Sequence, residues 1–188
     1  MPEPLSVLTE TGRPQITRAL TLILDYHGGQ LRKDGSTPYL VHLLRVGLIL
    51  VQAGASVPVI CAGLTHDLIE DTKASWDTIA EALGPEVADL VAAVSEDKRR
   101  PRAERKAEYL AHLSSQPPEV QMLQLADWID NVQDLASSPW SAAQKQAYLR
   151  RAEQVWERTA GHHEALRSHL RAALEEQWAA LAEKRSHR

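Results

Sequence analysis

The sequence predicts an all-α protein, a helical bundle folded as one domain. Three observations carry that expectation. Apolar residues return at three- and four-residue steps along almost the whole chain, no segment sustains period-two alternation, and proline and glycine stand where helices would begin and end. At 188 residues, one domain can bury a core of its own.

The elements follow in order. Residues 14–27 open on Pro14, which suits a first helical turn, and put Ile16, Leu20, Ile23 and Leu24 on one face. The glycines and proline of GGQLRKDGSTP break the pattern. Thr37 as cap and Pro38 as first residue predict a second helix, which stops at Gly54. Ser56 and Pro58 repeat that start for a third helix, and its apolar run from Val57 to Leu64 predicts a central position. Further helices are expected from Ser75 to Leu83, from Pro85 to near Glu96, over Ala103–Leu113, from Pro118 to Leu135 and from Ser141 to near Thr159. A last amphipathic helix is expected over 163–183, with Leu166, Leu170, Leu174 and Trp178 at four-residue steps. The first ten and last five residues are expected to fray.

Composition narrows the function classes. No apolar run approaches the ~20 residues of a membrane-spanning helix. The start MPEPLSVLTE lacks the basic and apolar stretches of a secretory signal, so a cytoplasmic protein with no membrane partner is expected. With 21 basic and 25 acidic residues the formal net charge is -4, a poor basis for phosphate-backbone affinity, so no nucleic-acid partner is expected. The single cysteine, Cys61, lies in an apolar run and reads as inert packing. Phe is absent, so aromatic contacts must come from five Trp and four Tyr.

The most informative stretch is His66-Asp67-Leu68-Ile69-Glu70-Asp71-Thr72, which follows directly on the apolar third helix. If the helix continues, His66 shares a face with Glu70, and Asp67 with Asp71. Three carboxylates and an imidazole crowded at a buried helix end repel or desolvate one another, and a bound cation relieves that. His42 lies amid Val41, Leu43, Leu44 and Val46, and Asp127 follows the apolar frame Leu125-Ala126. A buried unpaired carboxylate is costly, so Asp127 needs a partner. Together His42, His66, Asp67 and Asp127 offer two nitrogens and two carboxylates, a set suited to manganese, with zinc or iron as other candidates. The remaining histidines are weaker candidates: His162, His163, His169 and His187 read as surface residues, while His27 and His112 fit helix-end packing. GGQLRKDG does not have the spacing of a phosphate-binding P-loop.

The order H…HD…D resembles the HD-domain metal-dependent phosphohydrolases. Arg32-Lys33-Asp34-Gly35 with Pro38-Tyr39-Leu40-Val41-His42, the HDLIEDT stretch, and Leu125-Ala126-Asp127 with Asn131 are similar to motifs of the hydrolase half of the RelA/SpoT alarmone enzymes. Small stand-alone hydrolases of that family are the nearest resemblance, and also show Glu96-Asp97-Lys98 followed by Glu104-Arg105-Lys106. The likeness spans residues 14–160 and implies an HD-type bundle that removes the 3′-diphosphate of ppGpp or pppGpp. It implies that His42, His66, Asp67 and Asp127 hold Mn²⁺, and that Glu70 and Asp71 position and deprotonate the attacking water. Arg32 and Lys33 would contact the guanine nucleotide, Arg32 by stacking on its base, and Asn131 would bind the sugar. Tyr148, Lys145 (or Gln144) and Arg102 would contact the nucleotide or its phosphates.

The chain departs from that pattern at three places. Gln124 and Trp128 stand where basic residues are usual, and Asp130 where His or Tyr is usual. Asp127, Asp130 and Asp134 then form an acidic strip, expected to be a solvated face or else to add negative charge beside the metal. The basic run from Lys98 to Lys106 is either a solvated loop or the counter-charge for a leaving diphosphate. Two other readings remain open at this point: the same chemistry on another nucleotide, such as the 2′-phosphate of NADPH, or a nucleotide sensor without turnover.

Overall fold

A computed structural model describes residues 12–159, 161 and 163–186, apart from the side chains of residues 102 and 184–186. The helices are α1 (Gly12–His27), α2 (Leu40–Gln52), α3 (Val57–Thr65), α4 (Leu68–Asp71), α5 (Trp76–Leu83), α6 (Pro85–Val94), α7 (Arg102–His112), α8 (Pro118–Gln133), α9 (Ala142–Arg158) and α10 (Glu164–Ser186). Among the described residues the only extended pairing is one isolated bridge between Leu31 and Pro38. None of these helices is long and apolar enough to cross a membrane. The ends expected to fray lie outside the described residues, except that α10 continues to Ser186.

The apolar stripes meet in one core. α8 lies at its centre and packs on α2, α3, α6, α9 and α10. Val46, Leu50, Cys61, Leu64, Leu123, Leu125 and Ile129 are buried there together. α3 is central as its composition predicts, with every residue from Val59 to Thr65 buried. Two glycines let α2 and α3 approach closely. A Cβ on Gly63 would stand 2.2 Å from Leu50 Cδ1, and one on Gly47 2.7 Å from Leu64 Cδ2. This approach draws His42, on α2, toward His66 at the end of α3. Burial holds the Cys61 thiol up at about 11, in keeping with an inert packing role.

Three local expectations are corrected. Thr37 does not cap α2: its hydroxyl donates to Asp34, which also accepts from the backbone N–H groups of Ser36 and Thr37. With Arg32 N bonded to Thr37 O and Tyr39 N to Gln30 O, segment 30–39 closes as a small loop and helix begins only at Leu40. The third helix does not run through the HD pair. It ends at Thr65, turns at His66-Asp67 and resumes as the single turn α4, closed by Asp71 N on Asp67 O. α6 stops at Val94, and Glu96 instead gives its backbone N–H to Glu70 Oε2.

Candidate active site

Four elements converge on one cleft of about 480 Å³. α2 brings His42, the turn after α3 brings His66 and Asp67, α8 brings Asp127, and α4 brings Glu70 and Asp71. Ligating atoms of His42, His66 and Asp67 lie within 4.8 Å of one another. Asp127 Oδ1 completes the group, 3.2 Å from His42 Nε2 and 3.5 Å from His66 Nε2. Asp67 Oδ2 is 3.1 Å from His66 Nε2 and 3.7 Å from His42 Nε2.

Each ring is aimed from behind. His66 Nδ1 donates to the Gly63 carbonyl at 2.8 Å, which leaves Nε2 as the atom facing the carboxylates. That Nε2 is buried with no hydrogen-bond partner in the protein. His42 Nδ1 lies 2.7 Å from Asp130 Oδ2, and its Nε2 faces the cluster in the same way. The orphaned nitrogen and the mixed donor set fit a divalent cation: both rings are held in the tautomer that offers Nε2 as a ligand. Burial opposes a charge on either histidine, but the carboxylates of Asp127 with Asp130 around His42, and of Asp67 with Asp127 around His66, outweigh it and raise both rings. Burial also opposes charge on Asp127, yet the two histidines hold it well below the usual carboxylate range.

The acidic strip is not a solvated face. Asp130 is only 1% exposed and serves as the partner of His42. Asp134 receives the Arg32 guanidinium, with Nη2 at 3.2 Å, and Arg45 Nη1 lies 3.5 Å from its other oxygen. The reason is the position of α8. Lying at the centre of the core, it presents these acids to α2 and the 28–39 loop rather than to water.

Glu70 and Asp71 stand beside the cluster. Burial raises Glu70, although the Glu96 N–H and Lys98 pull the other way. Lys98 bridges the two acids, 3.4 Å from Glu70 Oε1 and in a short contact with Asp71 Oδ1. Arg105 pairs with Glu96, and Arg100 with Glu108, so much of the basic run is matched by carboxylates.

At the other end, Arg32 Nη2 donates to Asn131 Oδ1 at 3.1 Å, and Asn131 Nδ2 donates to Asp127 Oδ1 at 2.6 Å. The Arg32 guanidinium also lies over the Tyr39 ring at 5.7 Å. Lys33 Nζ sits 4.6 Å above the Trp140 ring. Tyr148 joins an aromatic wall, 4.9 Å from Trp128 and 5.4 Å from Trp140 between ring centroids. Arg32, Lys33, Asn131 and Tyr148 thus line the cleft together. Lys145 does not: it is buried with Nζ on the Ala136 carbonyl at 3.0 Å. Gln144, its alternative, caps α9 with Ser141 and lines a groove beside the cleft. Arg102 opens α7, and its side chain lies outside the described residues.

Sequence reasoning missed Tyr39, whose hydroxyl donates to Asp67 Oδ2 at 2.5 Å, although its place three residues before His42 was a usable signal. It also missed Arg151, which lies over the Trp128 ring at 5.5 Å and lines the cleft. No local pattern marks it among the polar residues of α9. Of the other histidines, His27 is buried at the end of α1 and stacks on Tyr39, and His112 bonds the Glu108 carbonyl. His163 and His169 bond the Pro118 carbonyl and Gln133, while His162 and His187 lie outside the described residues.

Comparison with known proteins gives a consistent result. The HD domain family model matches residues 19–165. The guanosine-3′,5′-bis(diphosphate) 3′-pyrophosphohydrolase MESH1 of Danio rerio is 34% identical over 150 residues, covering 77% of this chain and 83% of that protein. A probable guanosine-3′,5′-bis(diphosphate) 3′-pyrophosphohydrolase from Mycoplasma pneumoniae is 35% identical over 152 residues, covering 72% of this chain and 20% of that longer protein. Among solved structures, a metazoan ortholog of SpoT described as hydrolysing ppGpp superimposes with a TM-score of 0.82 at 30% identity, covering 87% of this chain and 95% of that one.

Proposed function

The chain belongs to the HD domain family, and from that premise we propose that it hydrolyses guanosine-3′,5′-bis(diphosphate) at the 3′ position. The products are GDP and pyrophosphate. One observation carries the reading: a single cleft holds a His/Asp cluster, a pair of further acids and, at its other end, an arginine joined to an asparagine. That sequence of groups matches a polyphosphate at one end and a nucleoside at the other.

His42, His66, Asp67 and Asp127 are the residues that would hold the metal, and their mixed nitrogen and oxygen donors favour Mn²⁺. When bound, such an ion acidifies water and screens phosphate charge. The chain's own groups do the rest. Glu70, whose burial raises its basicity, accepts a proton from the attacking water. Asp71, held by Lys98, orients that water. The water oxygen bonds to the phosphorus carried by the 3′-oxygen. The bond from that phosphorus to the 3′-oxygen breaks, and its electron pair stays on the 3′-oxygen, which takes up a proton. Pyrophosphate leaves at the end of the cleft where Lys98 and Arg105 offset its charge. Arg32 and Lys33 hold the base end, and Asn131 and Tyr148 the sugar.

Incubating the purified protein with Mn²⁺ and guanosine-3′,5′-bis(diphosphate) should release pyrophosphate and GDP in equal amounts. A substrate panel that ranks NADPH first would change the substrate while leaving the site chemistry in place. Tight nucleotide binding with no turnover by metal-loaded protein would replace the enzyme with a sensor.

A further inference from the structure

We propose that Tyr39 is a positioning residue: its hydroxyl holds the carboxylates of Asp67 and Asp71 in register with each other, from the same loop that carries Arg32 and Lys33. The inference rests on the roles given above to those two acids, Asp67 as a metal ligand and Asp71 as the group that orients water.

The hydroxyl stands between the two acids. It donates to Asp67 Oδ2 at 2.5 Å and lies 3.4 Å from Asp71 Oδ2. Asp67 Oδ2 is also the oxygen that faces His66 Nε2 and His42 Nε2. A carboxylate oxygen carries two lone pairs, so one can take the phenol proton while the other stays turned to the cluster. Asp71 is gripped on its other side, where Lys98 Nζ bonds Oδ1. Like charges this close repel, and a donor between them offsets that. Asp67 gains most from such a donor. It lies at the turn between α3 and α4, where its side chain makes no capping bond, and without the hydroxyl it keeps more of its rotamer freedom.

The phenol is itself clamped. Its ring stacks on His27, 5.0 Å between centroids and 21° from parallel, and meets His42 edge-on at 5.6 Å. His27 is 1% exposed, and its Nδ1 lies 2.6 Å from Gln30 Oε1. The Gln30 carbonyl accepts the Tyr39 backbone N–H at 2.8 Å, so one residue secures both the backing of the ring and its backbone. A ring fixed in this way loses little freedom when its hydroxyl donates. The Arg32 guanidinium lies over the same ring, so the residue that would hold the base shares a support with the one that holds Asp67. The hydroxyl proton is engaged within the protein, which sets Tyr39 apart from a nucleotide contact.

Tyr39→Phe tests this, because it removes the hydroxyl and keeps the ring. Two readouts follow the two acids: Mn²⁺ affinity by calorimetry for Asp67, and kcat for guanosine-3′,5′-bis(diphosphate) at saturating Mn²⁺ for Asp71. The variant should raise the Kd for Mn²⁺ about tenfold and lower kcat about tenfold, with KM within about twofold of wild type. Gln30→Ala, which loosens the backing of the ring and leaves the hydroxyl, should raise the Kd for Mn²⁺ about threefold, and it keeps the test readable if Tyr39→Phe lowers stability. A Kd or a kcat within about twofold of wild type in Tyr39→Phe overturns the proposal, as does a rise in KM alone, which would make Tyr39 a nucleotide contact. Wild-type protein that binds Mn²⁺ but releases no pyrophosphate overturns the substrate reading instead, and the Mn²⁺ affinity of Tyr39→Phe then still decides the hold on Asp67.

Discussion

The His/Asp cluster and the basic connection beside it are made of different material. At the metal end the side chains come from α2, α8 and the turn after α3, and the rings are sunk in the core, with His42 2% and His66 6% exposed. Each is oriented by a buried neighbour, Gly63 for His66 and Asp130 for His42. At the basic rim, Lys98, Arg99 and Arg100 stand on an exposed connection between α6 and α7 and are engaged by Asp71, Asp97 and Glu108. The difference shows how the labour is divided. Helix packing fixes the geometry of the His/Asp cluster, while the cations of the connection stand where water and salt can screen them.

The comparison can be broken most directly at the metal end. Asp67→Ala should lower turnover at least about a thousandfold and remove bound metal, read by elemental analysis. Metal retained in full would show that Asp67 is not a ligand. Glu70→Gln should lower kcat by about a hundredfold to a thousandfold while keeping metal, which separates the water-activating acid from the ligand set.

The same residue should set the acid limb of the pH profile. Burial raises the Glu70 pKa above its ordinary 4.5. A general base works only when deprotonated, so activity should fall as pH drops through that raised value. The midpoint should lie above that of an ordinary glutamate, and an acid limb unchanged in Glu70→Gln would assign it to another group. Asp130→Ala should weaken Mn²⁺ binding by about tenfold to a hundredfold, measured by calorimetry, because His42 loses the partner that fixes its tautomer.

The smallest effects belong to the scaffold and the rim. Gly63→Ala should cost about 1–3 kcal/mol in denaturant unfolding, since its methyl group meets Leu50 where α2 and α3 are closest. Added salt should raise KM modestly and leave bound metal untouched. An equal salt effect on both would erase the distinction between the two regions.

The sequence made the helices legible because their apolar stripes are long and their Pro and Gly boundaries clear. Ser75 and Ser141, both expected starts, do form capping boxes with Thr78 and Gln144. Thr37 misled because its hydroxyl has a competing partner in Asp34, and hydrogen-bond competition of that kind cannot be ranked from sequence. His42, His66, Asp67 and Asp127 were legible as polar residues in apolar frames, and the fold brings them together. The role of Asp130 was not, because periodicity places it on a polar strip without saying that the strip faces another helix. Lys145 shows the same limit in reverse: the family likeness implied a nucleotide contact for it, whereas the fold turns it onto a backbone carbonyl.

The central claim is that this cleft cleaves a 3′-diphosphate with the help of a divalent ion. Its most direct test is pyrophosphate release from guanosine-3′,5′-bis(diphosphate) by protein first stripped with a chelator and then supplied with Mn²⁺. The account predicts no release from stripped protein, and release of pyrophosphate with GDP once Mn²⁺ is restored. Undiminished release without metal, or none from protein shown to carry Mn²⁺, would contradict it.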